Sequence, residues 1–144
     1  MITSTRKLQS KKLSVQFFNA RSIVNHLLEL EIILEKNINT IFLIVETWLK
    51  QKVKINNLQK YHNIIRFDRE NKRGGGLLLL VPKSIKYHEI KTIQFQGNLE
   101  VGAISIKVDK IELDIILSYR VPNSKCSENL KKVMHYISNS QKHF

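Results

Sequence analysis

Thr40-Ile41-Phe42-Leu43-Ile44-Val45-Glu46-Thr47-Trp48-Leu49 is the stretch on which the fold turns. Five successive apolar residues, Ile41 to Val45, end abruptly in a carboxylate. An unbroken Ile/Phe/Leu/Val run of this length is the pattern of a strand buried on both faces. Charge seldom continues such a strand, so Glu46 is expected at its C-terminal mouth, where open α/β sheets gather their ligands. A carboxylate there offers oxygen ligands to a hard cation such as Mg²⁺. The plainer alternative is that Glu46 only ends the strand and pairs with a nearby lysine.

On the N-terminal side, Leu13 to Phe18 alternates apolar and polar residues and reads as a first strand. It runs into Asn19-Ala20-Arg21-Ser22, with Ser22 placed to cap a helix from Ile23 to Lys36. Ile23, Leu27, Leu30 and Leu34, joined by Val24 and Leu28, form the expected apolar stripe of that helix. Strand, helix, strand predicts a right-handed crossover with the two strands parallel. Asn19 and Glu46 then open onto one rim.

On the C-terminal side, Tyr61–Phe67 reads as a short strand, Asp68–Gly76 as a charged glycine-rich loop, and Leu77–Val81 as a second strand apolar on both faces. Gly74-Gly75-Gly76 is no P-loop, because no Gly-Lys-Ser/Thr follows; a turn with close backbone approach is expected. Ile85–Ile93 reads as a further strand. Alternation from Leu99 to Tyr119 predicts a hairpin turning at Asp109-Lys110. Its register places Lys107 opposite Glu112, Ile106 opposite Leu113 and Glu100 opposite Tyr119. After Val121-Pro122-Asn123 a last helix carries Leu130, Val133, Met134 and Ile137 on one face.

The chain of 144 residues fits one domain, expected over 13–144 behind a basic, flexible lead-in at 1–12. Its charge is lopsided: 24 Lys+Arg against 12 Asp+Glu, a formal +12, which favours polyanionic partners. From Lys50 to Arg73 the eight basic residues and two acidic ones leave a net +6 in one segment. The single cysteine, Cys126, excludes an intrachain disulfide and any multi-cysteine zinc site and suits an intracellular, reducing compartment. No apolar stretch reaches transmembrane length, and no membrane partner is expected.

Asn19-Ala20-Arg21-Ser22, Glu46-Thr47-Trp48-Leu49, Tyr61, Asp68-Arg69, Gly74-Gly75-Gly76, Glu100 and Tyr119-Arg120-Val121-Pro122-Asn123 follow one another in this order. Together they resemble the apurinic-endonuclease-like domain of non-LTR retrotransposons, a family of the exonuclease–endonuclease–phosphatase superfamily. The resemblance spans Leu13 to Ser124. It implies an α/β (α+β) fold drawn from a four-layer α/β/β/α sandwich, and a Mg²⁺-dependent DNA endonuclease that nicks its target site in the nucleus. By resemblance Glu46 is the metal-ligand carboxylate, and Asn19 beside it orients phosphate or a metal-bound water. Tyr119 is the phosphate-contacting tyrosine, and Asn123 the asparagine just after the proline. Arg21, Lys50, Lys52, Lys54, Arg66, Arg69, Lys72, Arg73 and Arg120 would grip the DNA backbone, a salt-sensitive contact that reads no sequence.

Departures from the family set further expectations. Val121 replaces a proline, His26 stands where lysine is common, and Thr40 where aspartate is common. The family's later Gly-Asp-x-Asn and Ser-Asp-His motifs, which supply the water-activating aspartate and the catalytic histidine, do not occur in this sequence. The chain is therefore expected to be the N-terminal half of the sandwich: one mixed sheet with helices on one face and the second sheet missing. It should hold Mg²⁺ weakly, lack hydrolytic activity, and self-associate through an exposed apolar sheet face. The alternative function is a non-catalytic nucleic-acid-binding remnant using the basic surface alone.

Overall fold

The computed structural model describes residues 12–91, 98–125 and 127–140. Apart from exposed Lys12, the expected lead-in lies outside them, as does the end of the expected Ile85–Ile93 strand. The elements in chain order are β1 (Ser14–Asn19), α1 (Leu27–Lys36), β2 (Thr40–Val45), a 3-10 turn (Asn56–Lys60), β3 (His62–Phe67), β4 (Leu77–Pro82), β5 (Lys86–Glu89), β6 (Leu99–Val108), β7 (Ile111–Arg120) and α2 (Ser127–Ser140). They form a mixed α/β protein with two sheets. The first has the order β1-β2-β4-β3 and the second β5-β6-β7.

β1 and β2 are parallel, as the crossover pattern requires, and Asn19 lies in register with Val45. The other ladders are antiparallel. β2 and β4 occupy the middle of the first sheet, which is why their apolar runs do not alternate. One face sends Phe42, Ile44, Leu78 and Leu80 against Leu30 and Leu34 of α1. The other sends Ile41, Val45, Leu77 and Leu79 against Ile104, Ile106 and Leu117 of the second sheet. Each large side chain so buried contributes about 1.5–3 kcal/mol. A third cluster joins Leu99 and Val101 of β6 to Val133 of α2.

This overturns the expectation of a missing second sheet. β5, β6 and β7 form a second sheet within the same chain, and Leu77, Leu79 and Val81 on the inner face of β4 are fully buried. The sheets approach closely at Gly102, where a Cβ would come within 2.5 Å of Phe67 Cε2. Nor are both helices on one face: α1 packs with the first sheet and α2 with the second. What stays uncovered lies at the margins. Val15 and Phe17 of edge strand β1 are aligned with inward-facing Ile41 and Leu43, yet Phe17 is 60% exposed. Ile111 and Leu113 of edge strand β7 are exposed in the same manner.

The hairpin register is as expected: Lys107 faces Glu112, Ile106 faces Leu113, and Glu100 faces Tyr119. The first helix starts later than Ser22 would place it. Ser22 is left-handed (φ +94°) where an N-cap must be extended, and the Ser22 and Ile23 amides bond the Glu46 and Thr47 carbonyls at 2.8 and 3.0 Å, so 22–26 belongs to the loop beside the β2 exit. Helical hydrogen bonding begins only at Leu27. Val24 and Leu28 consequently fall off the buried stripe, with Leu28 69% exposed. No helix among the described residues is long and apolar enough to cross a membrane.

Candidate functional site

The site is built where β2 ends. Glu46 (φ +58°) and Trp48 (φ +56°) both turn left-handed, a conformation costing an L-residue roughly 1–2 kcal/mol. The backbone on either side holds them there. The Ser22 and Ile23 amides bond the carbonyls of Glu46 and Thr47, while the Thr47 and Trp48 amides reach the carbonyls of Gly76 and Gly75, at 3.3 and 2.9 Å. Arg21 (φ +47°), Ser22 (φ +94°) and all three residues of Gly74–Gly76 are left-handed too. Strain gathered in this way marks positions where the surrounding structure over-determines a geometry, which is characteristic of functional sites.

That geometry converges on one carboxylate. Glu46 Oε2 accepts the Trp48 indole N–H at 2.5 Å and the Gly75 amide at 3.3 Å. The Tyr119 hydroxyl, at the end of β7, also donates to the Glu46 carboxylate. Burial works against the Glu46 charge, but the donors Tyr119, Trp48 and Gly75 and the nearby Arg69 cation outweigh it and hold the carboxyl below its ordinary value. The Tyr119 phenol is pushed up to about 12, first by burial and then by its bond to Glu46, so at neutral pH it is a protonated donor. Arg73 lies over the Trp48 ring at 5.3 Å in a cation–π contact.

A second carboxylate stands behind the first. Glu100 takes Arg69 Nε at 2.5 Å on one oxygen and the Gly76 amide at 2.9 Å on the other. Gly75 and Gly76 thus present successive amides to two acids, and at both of them a side chain would be crowded. A Cβ on Gly75 would lie 2.5 Å from Arg69 Nε, and one on Gly76 2.5 Å from Thr47 Oγ1.

Of the residues singled out in the sequence, Glu46 and Tyr119 come together, and Asn19 ends the strand alongside, in register with Val45 just before Glu46. Asn19 is exposed beside Val45 on the neighbouring strand. Asn123 is exposed in the turn after β7, with φ +59°. The basic set divides. Arg66 is tied to Asp68 and to the carbonyls of Val53 and Lys50. Arg69 is tied to Glu100, and Lys50 Nζ lies against the carbonyls of Arg69, Glu70 and Lys72. Arg21, Lys52, Lys54, Lys72, Arg73 and Arg120 present exposed side chains. Sequence reasoning did not identify the indole donor of Trp48 or the Arg69–Glu100 pair. The hint was the adjacency of a charged loop to three glycines, where bulk is excluded for a reason.

Among the described residues no cluster of three or more His, Cys, Asp or Glu could hold a metal ion. Glu46 follows the end of β2, and Asn19 ends the neighbouring strand β1. One carboxylate and one amide are a sparse ligand set for Mg²⁺, which would have to keep most of its waters there. Compared with known proteins, the chain matches no family model and no curated protein.

Proposed function

We propose that the chain is part of a Mg²⁺-dependent DNA endonuclease domain of the non-LTR retrotransposon type, and that alone it binds DNA without cutting it. The observation that carries this reading is the Glu46 carboxylate, fixed by Trp48, Gly75 and Tyr119 at a strained strand end beside Asn19. The two packed sheets, with α1 on one and α2 on the other, would then be a portion of the family's four-layer sandwich.

Glu46 and Asn19 would hold the cation, which supplies neutralisation of charge building on a phosphodiester. The Tyr119 hydroxyl, kept protonated, is suited to donate to a non-bridging phosphate oxygen. Exposed Arg21, Lys52, Lys54, Lys72, Arg73 and Arg120 would hold the flanking backbone. A base for water is what the site lacks. The chain's three aspartates are engaged or placed elsewhere: Asp68 on Arg66, Asp109 in the β6–β7 turn, and Asp114 on Tyr136. Hydrolysis without a positioned base forfeits roughly 10²–10⁴-fold in rate.

The test pairs duplex-DNA binding, followed by fluorescence anisotropy over a salt series, with nicking of supercoiled plasmid. Binding should weaken steeply with salt and be strengthened by Mg²⁺ in the native chain but not in Glu46→Gln. Nicking should not exceed that of Glu46→Ala. Salt-sensitive binding that ignores both Mg²⁺ and Glu46 would favour the second reading, a non-catalytic binding module, which the exposed lysines of the 50–73 segment support. Plasmid nicking that Glu46→Ala abolishes would instead make this chain a working nuclease.

A further inference from the structure

We propose that Arg69 and Glu100 form a positioning clamp that sets the geometry of Glu46 through the Gly74–Gly76 loop; as a statement about a metal carboxylate, this rests on the function proposed above. Neither residue reaches Glu46 by a hydrogen bond; Arg69 lies against Gly75, which does, and Glu100 holds Gly76 next to it. Glu100 Oε2 fixes the Gly76 amide at 2.9 Å, and the Gly76 carbonyl receives the Thr47 amide at 3.3 Å. The Arg69 guanidinium, drawn in by Glu100 Oε1 at 2.5 Å, lies over Gly75 so closely that no Cβ fits between them. Gly75 in turn gives its amide to Glu46 Oε2 and takes the Trp48 amide on its carbonyl at 2.9 Å. The Trp48 indole then closes the circle on Glu46.

The pair is ill suited to being simple stabiliser. The side chains of Arg69 and Glu100 are only 15% and 8% exposed, and Arg69 Nη2 is buried without a partner. Burying an ion pair with an unmet donor stabilises less than apolar packing of the same volume would. Its advantage is directional. A planar fork held by a carboxylate specifies where Gly75 and Gly76 sit, whereas apolar side chains would allow the loop to slide. β6 carries Glu100 directly across from Tyr119, so one rung of the hairpin delivers both the clamp and the phenol that donates to Glu46.

The experiment uses Trp48, the chain's one tryptophan, as reporter, and Mn²⁺ as the probe. Acrylamide quenching of Trp48 and Mn²⁺ affinity, by quenching of the same emission, are measured for the native chain and for Arg69→Met, Arg69→Lys, Glu100→Gln and Glu46→Gln. Far-UV circular dichroism checks that each is folded. Arg69→Met and Glu100→Gln should raise the acrylamide quenching constant about twofold and lower Mn²⁺ affinity about tenfold, the lower end of what loss of outer-shell support costs. Arg69→Lys, which retains the charge without the planar fork, should fall between them and the native chain. Glu100→Gln preserves shape, so it carries the test if Arg69→Met does not fold. Native-like Trp48 quenching and Mn²⁺ affinity in Arg69→Met or Glu100→Gln would overturn the clamp. Mn²⁺ affinity undiminished in Glu46→Gln would overturn the metal reading instead, while acrylamide quenching still decides whether the pair positions the loop.

Discussion

Adding one methyl group at neighbouring glycines separates backbone strain from the clamp. Gly74 (φ +78°) and Gly75 (φ +68°) are both left-handed, so alanine at either should cost about 1–2 kcal/mol for that conformation alone. Their surroundings differ. A Cβ on Gly74 finds Glu46 Oε2 and Trp48 Nε1 at 3.6 Å, an ordinary contact. On Gly75 it runs into the Arg69 guanidinium. As the end of a flexible side chain, that group could swing aside cheaply, except that doing so abandons Glu100. Leaving a buried acid unpaired costs about 3–5 kcal/mol, so Gly75→Ala should lose about 4–7 kcal/mol in all. Against a domain stability of about 5–15 kcal/mol this approaches unfolding, whereas Gly74→Ala only moves the transition. Urea unfolding followed by circular dichroism and Trp48 emission reads both. At about 1–3 kcal/mol/M in urea, Gly74→Ala should shift the midpoint by roughly 1 M, and Gly75→Ala by several times as much. In the Arg69→Ala background Gly75→Ala should cost far less, because the obstacle is gone. Equal losses at the two glycines, or strict additivity with Arg69→Ala, would refute the account of the loop.

Other outcomes follow from single features. Asp109 takes φ +54° as the first residue of the two-residue β6–β7 turn, a position that favours glycine, so Asp109→Gly should stabilise by about 1 kcal/mol in the same urea assay. Burial lowers the His62 pKa while its Nε2 bonds the Thr40 carbonyl, so the neutral ring is the folded form. Stability should be complete above the unfolded value near 6.5 and fall as pH drops through it towards the folded value; comparing midpoints at neutral and mildly acidic pH shows the loss, which His62→Gln should reduce. Glu46 has its folded pKa lowered as well, so its contribution should be present above the unfolded value of 4.5 and disappear as pH falls through the folded one. Glu46→Gln should remove that acid-side step from the stability profile. Exposed Val15, Phe17, Ile111 and Leu113 on the sheet margins should promote association, and Phe17→Lys should increase the monomer fraction seen by analytical ultracentrifugation.

Much of the framework was legible in the sequence because it is governed by near neighbours. The apolar runs of β2 and β4 could only be central strands. A two-residue turn fixed the β6–β7 register out to Glu100 and Tyr119, and the crossover made β1 and β2 parallel, bringing Asn19 beside the end of β2. The helix starts later than the sequence suggests because an N-cap needs extended backbone, and Ser22 is instead held left-handed (φ +94°) with its amide on the Glu46 carbonyl, 24 positions along. The strands of the second sheet are legible in their alternation, but their packing on the first sheet is not, since pattern tells which face of a strand is apolar and not which other face will cover it. Charge count likewise marked 50–73 as basic, while folding decided that Arg66 and Arg69 would be drawn inward by Asp68 and Glu100 and others left in solvent. Local periodicity is carried by residues a few positions apart. The partner of a charge or an amide is chosen by packing across the whole chain, and only the tertiary structure makes that choice.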